Sequence, residues 1–374
     1  MSAPEVTRRT HARLTATGLS LACLALHGAA GAAQTDTLPN SLAVDPDGTV
    51  HVPAQNVPVS KYLSPEGKAY LAEHLRNVRK PQQLAQNSGI PPLIAGYLVR
   101  QKTLYAVDRT ETKIGGVHAY VYTPKGGVSE RNRNRVLIDL HGGGFSGCWP
   151  GCAELESIPI AALGKIRVIS LDYREAPQYR FPAASEDVAA AFGALLKTYH
   201  AAAIGIYGCS AGGMLTGESV AWFLRHKLPN PGAIAILCAG LTAPNAGFGG
   251  DADYSATPIG EARMTAAPPP APNNATRPSV QSYFDGADPA DPMMAPADSP
   301  ELLARFPPSL VVTGTRGFEL SSAVVTHARL VKAGAQSDLH VWEGMFHGFF
   351  YNPDVPESKD CFDVIIKFFN SKLE

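Results

Sequence analysis

The sequence predicts an α/β fold built on a mostly parallel sheet with helices on both faces, and three observations carry that prediction. From Val136 onward short apolar runs recur: Val136–Leu140, Val168–Leu171, Ile204–Tyr207, Ile234–Leu237, Leu310–Thr313 and Leu339–Trp342. They are continuous rather than alternating, as expected of strands buried on both faces. Stretches with helical spacing lie between most of them, at Ser185–Thr198, Ala211–His226 and Ser321–Ala333. Ligands on such sheets bind beyond the carboxyl ends of the strands, so functional residues are expected just after each run.

The chain of 374 residues is 45% hydrophobic, ample for a buried core. Its formal net charge of -1 gives no field to attract nucleic acid or an anionic membrane, and no basic cluster stands outside the N-terminus. Nucleic acid is therefore not an expected partner. The 31 prolines and 35 glycines, in a chain with clear strand signals, indicate many turns and long loops.

The N-terminus reads as a secretory signal over residues 1–33. Arg8, Arg9 and Arg13 supply positive charge, Leu14 to Leu26 an apolar run, and Ala29-Ala30-Gly31-Ala32-Ala33 the small residues of a cleavage site. The expected location is periplasmic or secreted. Arg8-Arg9 also suggests a twin-arginine signal, although His11 stands where an apolar residue is usual. The apolar run is too short and too rich in Ala and Gly for a stable membrane span, and no later segment is long and apolar enough.

Residues 34–106 are polar, Pro-punctuated and partly helical in pattern. Pro65 to Val78 predicts an amphipathic helix with Tyr70, Leu71, Leu75 and Val78 near one face. Thr103–Val107 and Val117–Tyr122, around Gly115-Gly116, predict an antiparallel hairpin. A catalytic domain is expected over 107–374, with an insertion at about 241–300. Within it, 245–275 reads either as a lid over the strand ends or as a disordered surface loop.

Of six cysteines, loss of Cys23 with the leader leaves Cys148, Cys152, Cys209, Cys238 and Cys361. Cys148 and Cys152, four apart, could close a small disulfide loop in an oxidising compartment or stay reduced. A metal site is not expected, because no second Cys/His pair stands nearby at ligand spacing.

Chemistry concentrates at three strand ends. Ile204–Tyr207 runs into Gly208-Cys209-Ser210-Ala211-Gly212-Gly213 and then a helix, a G-x-S-x-G pattern in strand–turn–helix context. Such a turn exposes a serine above the sheet in a strained conformation that only small neighbours permit, which marks Ser210 as a nucleophile. Val136–Leu140 ends in His141-Gly142-Gly143-Gly144-Phe145, whose glycines let backbone N–H groups approach a substrate. An oxyanion hole is expected from the amides of Gly143, Gly144 and Ala211; the run lacks the Lys and Ser/Thr of a phosphate loop. The last strand leads into Glu343-Gly344-Met345-Phe346-His347, which places His347 on the same rim as a general base. His141 reads as an anchor of its loop. Phe145 and Trp149 are candidates for a substrate pocket, or equally plain core.

HGGGF and GCSAGG resemble the hormone-sensitive-lipase family of bacterial esterases, within the α/β-hydrolases. Asp172-Tyr173-Arg174-Glu175-Ala176-Pro177 leading to Phe181-Pro182-Ala183-Ala184, Asp288-Pro289, Asp291-Pro292 and GMFHGFF fit it too, in order from about residue 118 to the C-terminus. The resemblance implies an eight-stranded sheet, a cap to which residues 34–106 bear a vague likeness, and hydrolysis of short-chain or aryl esters without metal or other cofactor.

Two positions depart from that pattern. Similar sequences carry the acid of a Ser–acid–His triad in a stretch like T-R-D, but here it reads Thr315-Arg316-Gly317. Glu319, two residues on, is the substitute best placed. Glu343 lies on the correct rim but only four residues before His347, and Asp338, at a strand rise of about 3.3 Å per residue, falls at the wrong end. Similar proteins also carry an acid before the nucleophile, where Cys209 is expected to be a buried small side chain.

The expected function is an exported serine carboxylesterase acting on a small-molecule ester. Gly317 leaves open a catalytically impaired, secreted binding module, and the fold leaves open another acyl bond: an amide, a lactone or an acetylated sugar.

Overall fold

A computed structural model describes residues 43–52, 54–84, 89–243, 250–255, 259–260, 283–288 and 290–374. The leader over 1–33 and most of the 245–275 stretch lie outside the described residues. The chain divides into two compact units, Met1–Asn56 and Val57–Glu374. In the first, β1 (Ala43–Val44) pairs antiparallel with β2 (Val50–His51) across a turn. Asp47 Oδ1 accepts the Thr49 amide at 3.0 Å in that turn.

The second unit holds an eight-stranded sheet: β3 (Val107–Ile114), β4 (Val117–Pro124), β5 (Val136–Leu140), β6 (Arg167–Leu171), β7 (Ile204–Cys209), β8 (Ala233–Leu237), β9 (Ser309–Gly314) and β10 (Ser337–Trp342). Spatially the order is β10-β9-β8-β7-β5-β6-β4-β3. The six strands from β5 onward run parallel, and the β3–β4 hairpin joins antiparallel through β4 and β6. The six apolar runs are thus all strands. β10 departs from the expectation of burial on both faces: as an edge strand it leaves Val341 exposed.

The major helices are α1 (Pro65–Asn77), α2 (Pro92–Leu104), α3 (Gly151–Gly164), α4 (Ala183–Leu195), α5 (Ala211–Arg225), α6 (Leu320–Lys332) and α7 (Pro356–Lys372). Side chains of α4, α5 and α6 join Val136, Ile138 and Leu140 in one apolar cluster. Those of α1, α2, α3 and α7 join Leu137, Val168 and Leu310 in the other. The two clusters follow from strand alternation, successive residues pointing to opposite faces.

Local signals set the boundaries. Ser64 caps α1 by accepting the Gly67 amide at 2.8 Å, with Pro65 at the first helical position, where its missing N–H costs nothing. The strand expected at Thr103–Val107 is a correction: the chain stays helical to Leu104 and the hairpin begins at Val107. Buried Leu98 and Gln101 hold α2, the Gln101 amide nitrogen donating to the Tyr351 carbonyl at 2.9 Å. The described ends of the insertion pack inward; Tyr283, Met293, Met294 and Ala297 are buried. Among the described residues no helix is long and apolar enough to cross a membrane.

Candidate active site

Ser210 sits between β7 and α5 with φ 58° and ψ -121°, a left-handed conformation that is costly for any residue but glycine. The flanking glycines make it possible. A Cβ on Gly208 would stand 2.2 Å from the Leu140 carbonyl oxygen, and one on Gly212 would stand 1.6 Å from the same atom. β5 therefore passes so close beneath the turn that no side chain fits at either position. The Ser210 amide donates to the Leu237 carbonyl at 2.8 Å, which ties the turn to β8. Cys209 is fully buried.

The loop after β5 lies beside this turn. A Cβ on Gly142 would be 3.5 Å from the Ser210 Cβ. Gly143 (φ 129°) and Gly144 (φ 66°) turn the backbone. Among the described residues, no acceptor is paired with the amides of Gly143, Gly144 or Ala211. For Ala211 this is the ordinary state of a first helical N–H, at the positive end of the α5 dipole. His141 is buried, hydrogen-bonds through Nδ1 to the Gly142 carbonyl at 2.7 Å and stacks on Tyr173 at 4.5 Å. Burial pushes its pKa down to about 4, so it is a neutral anchor.

Phe145 and Trp149 separate. Phe145 has no exposed surface and stacks on Tyr283 at 4.5 Å with the planes 4° apart. Of the two readings left open for Phe145, pocket or core, the structure shows core. Trp149 is half-buried against Tyr120 and His141. Cys148 and Cys152, on either side of it, are joined in a disulfide, while Cys209, Cys238 and Cys361 are free and buried.

Of the three candidate carboxylates, Glu319 is the one that lies against His347. Glu319 is fully buried, its Oε2 3.1 Å from His347 Nδ1 and its Oε1 accepting the Thr313 hydroxyl at 2.9 Å. A Cβ on Gly317 would fall 2.5 Å from Glu319 Oε1 and 2.8 Å from Oε2. The carboxylate of Glu319 fills the volume where a side chain at 317 would begin. Glu343 is exposed at the end of the loop and Asp338 is exposed on β10. An ionised carboxylate can only accept, so the facing Nδ1 carries the proton and Nε2 keeps its lone pair.

The remainder of the His347 loop rests on packing. Phe346, just before the histidine, is buried against His74 (3.6 Å) and Tyr70 (4.9 Å) of α1, and Phe318 stacks on His347 at 4.7 Å. Cys238 links the histidine to the serine turn: it follows Leu237, which takes the Ser210 amide, and its Sγ accepts the Gly348 amide at 3.2 Å. Cys238, Glu319 and His347 are the one group of metal-capable side chains among the described residues, with ligand atoms within 4.8 Å. They are already paired internally, and burial pushes the thiol up, which favours its protonated form.

Sequence reasoning missed Glu156 of α3. Its Oε1 accepts the Gly142 amide at 3.0 Å and the Tyr351 hydroxyl at 2.8 Å, and its Oε2 accepts the Cys209 amide at 3.0 Å. The signal was a charged residue among Leu155, Ile158, Pro159 and Ile160; α3 is buried nearly all round, so no amphipathic period announced it.

A serine on a strained strand–helix turn, a glycine loop with unpaired amides and a carboxylate–imidazole pair on one rim define a hydrolase-type site on an α/β sheet. Residues 137–351 match the family model of the alpha/beta hydrolase fold, and the chain belongs to that family. The chain is similar to an acetyl-hydrolase of Streptomyces hygroscopicus, 28% identical over 236 residues, covering 63% of this chain and 75% of that protein. It is also similar to the crystal structure of an esterase E25, 26% identical with a TM-score of 0.70, covering 87% of this chain and 99% of that one. An esterase of the bacterial hormone-sensitive lipase family shares the fold at 24% identity and TM-score 0.68, over 83% of this chain and 99% of that one.

Proposed function

We propose that this protein is a serine carboxylesterase, acting on short-chain or aryl esters through an acyl-enzyme. The carboxylate of Glu319 in the volume left by Gly317, facing His347 Nδ1, carries this reading. It supplies the group whose absence from position 317 favoured a binding module. Ser210 Oγ attacks the ester carbonyl carbon while His347 Nε2 takes its proton. The amides of Gly143, Gly144 and Ala211 receive the oxyanion, each donor contributing roughly 3–4 kcal/mol to the barrier reduction. Collapse expels the alcohol, which takes the proton from His347, and water then releases the acid by the same route. The similarity to an acetyl-hydrolase supports a small acyl group.

The test is hydrolysis of p-nitrophenyl acetate by wild type and Ser210→Ala, with fluorophosphonate labelling of the folded protein. The expected result is loss of both hydrolysis and labelling in the variant; equal rates in the two proteins would end the proposal. Export is proposed from the leader-like residues 1–33. It predicts a mature chain beginning near Gln34, and N-terminal sequencing that finds the leader retained removes it.

A further inference from the structure

Glu156 lies inside α3 with 1% of its surface exposed, and no ion pair reaches it among the described residues. A buried carboxyl without partners is destabilising, so its partners show what it is for. The Gly142 amide on Oε1 belongs to the residue before Gly143. The Cys209 amide on Oε2 belongs to the residue before Ser210. The Tyr351 hydroxyl on Oε1 comes from the helical turn Phe349–Tyr351 that closes the His347 loop. One carboxyl group thus holds a donor from each of the three segments that supply the site. The main chain of Glu156 is fixed as well, its carbonyl accepting the Tyr207 hydroxyl at 3.1 Å from β7.

We propose that Glu156 is a positioning residue that sets the oxyanion amides against Ser210 by bonding the backbone of both loops through its two oxygens. The inference rests on the serine-esterase reading and concerns the alignment of its parts. Alignment matters because an oxyanion hole acts on the transition state: donors must stand at hydrogen-bond distance from the position the oxygen reaches, not from the substrate carbonyl. Two amides on two different oxygens also explain why the group is a carboxyl. A glutamine presents a donor nitrogen in place of one oxygen, so one of the two amides would face another donor. Burial pushes Glu156 well above the usual carboxylate range, with the Asp139 carboxyl adding to the rise. In either protonation state each oxygen keeps a lone pair for its amide.

The experiment compares wild type with Glu156→Gln in p-nitrophenyl acetate hydrolysis and in inhibition by a trifluoromethyl ketone, which forms a tetrahedral oxyanion adduct. The expected result is a fall in kcat of about tenfold to a hundredfold with KM within about twofold. Affinity for the ketone should fall by the same factor as kcat/KM, a correlation that general loosening of the fold would not produce. Unchanged kcat, or lost kcat with unchanged ketone affinity, overturns the inference. Should Glu156→Gln fail to fold, Glu156→Asp is read instead, since its side chain is one methylene too short to reach both amides. A parallel decline in kcat and ketone affinity supports the inference, and unchanged kcat overturns it. If wild type itself does not hydrolyse the ester, or Ser210→Ala matches it, the esterase reading has failed instead.

Discussion

The oxyanion loop and the His347 loop border the same rim but are held by different means. The oxyanion loop is fixed by polar and covalent ties. Glu156 holds Gly142, Tyr173 donates to the His141 carbonyl at 2.6 Å, Glu175 accepts the Gly147 amide at 3.2 Å, and the Cys148–Cys152 disulfide closes its far end. The His347 loop adds apolar packing, Phe346 under α1 and Leu63 against Gly344, to ties with the neighbouring strand-end loop, where the Arg316 amide donates to the Met345 carbonyl at 2.8 Å and the Gly344 amide to the Thr315 hydroxyl at 2.7 Å. The Glu319 carboxylate faces Nδ1 of the ring. Backbone amides that must point at one place need hydrogen-bond acceptors behind them. A ring that must carry a proton needs one partner at Nδ1 and a firm floor. The two loops should therefore fail differently.

The largest effect is expected on the histidine side, where the Glu319 carboxylate faces the ring. Glu319→Gln should lower kcat by about a hundredfold or more, because a neutral amide cannot stabilise the imidazolium. Glu343→Gln, exposed and apart from the ring, should stay within about twofold. Gly317→Ala gives the same test from the opposite direction: its methyl would lie 2.5 Å from Glu319 Oε1 and should push the carboxylate off the ring, approaching the loss seen in Glu319→Gln. Steady-state kinetics on one ester measure all three. Equal activity in Glu319→Gln and wild type, or a large loss in Glu343→Gln, would move the acid elsewhere.

A smaller effect is expected from the covalent tie on the other side. The Cys148–Cys152 bridge closes a short loop, worth about 2 kcal/mol in the chain-entropy account. It also sits against the glycine loop, since a Cβ on Gly143 would meet the Cys148 Cβ at 2.9 Å. Replacing both cysteines by serine should lower the melting temperature and reduce kcat about two- to fivefold, with wild type in reductant behaving alike. Superimposable melts with and without reductant would show that the bridge carries no load.

Much of this site could be read from the chain because its signals are local. GCSAGG and HGGGF announce tight turns at strand ends, and the parallel sheet followed from continuous apolar runs. Glu319 was legible as a candidate because a loop following a strand places a side chain to within a few residues. That it fills the volume at Gly317 depends on the path of that loop, which no periodicity encodes. Glu156 was illegible for a related reason. Its partners are 14, 53 and 195 residues away in sequence, and only the packing of α3 against the strand ends brings them together. Phe145 stayed open between pocket and core because an aromatic beside a glycine loop looks the same in either place; Tyr283, more than a hundred residues on, decides it.

The last expected effect is on stability alone, with no change in rate expected, and tests the polar support of the glycine loop by pH. Burial pushes Glu175 up to about 8, with Asp172 nearby adding to the rise and the Gly147 amide opposing it. Because the folded state keeps this proton up to about 8 while the unfolded chain releases it near the ordinary carboxylate value, the folded state binds more protons between those limits. The contribution of Glu175 to stability is full below the unfolded pKa, declines as pH rises through the interval and levels off above about 8. Glu175→Gln mimics the protonated form and keeps an oxygen for the Gly147 amide, so it lacks this decline. Melts at pH 5, 7 and 9 should show the variant gaining on wild type as pH rises, with most of the gain in place by pH 9. Parallel pH curves would mean that Glu175 is solvated and that Gly147 is held without it.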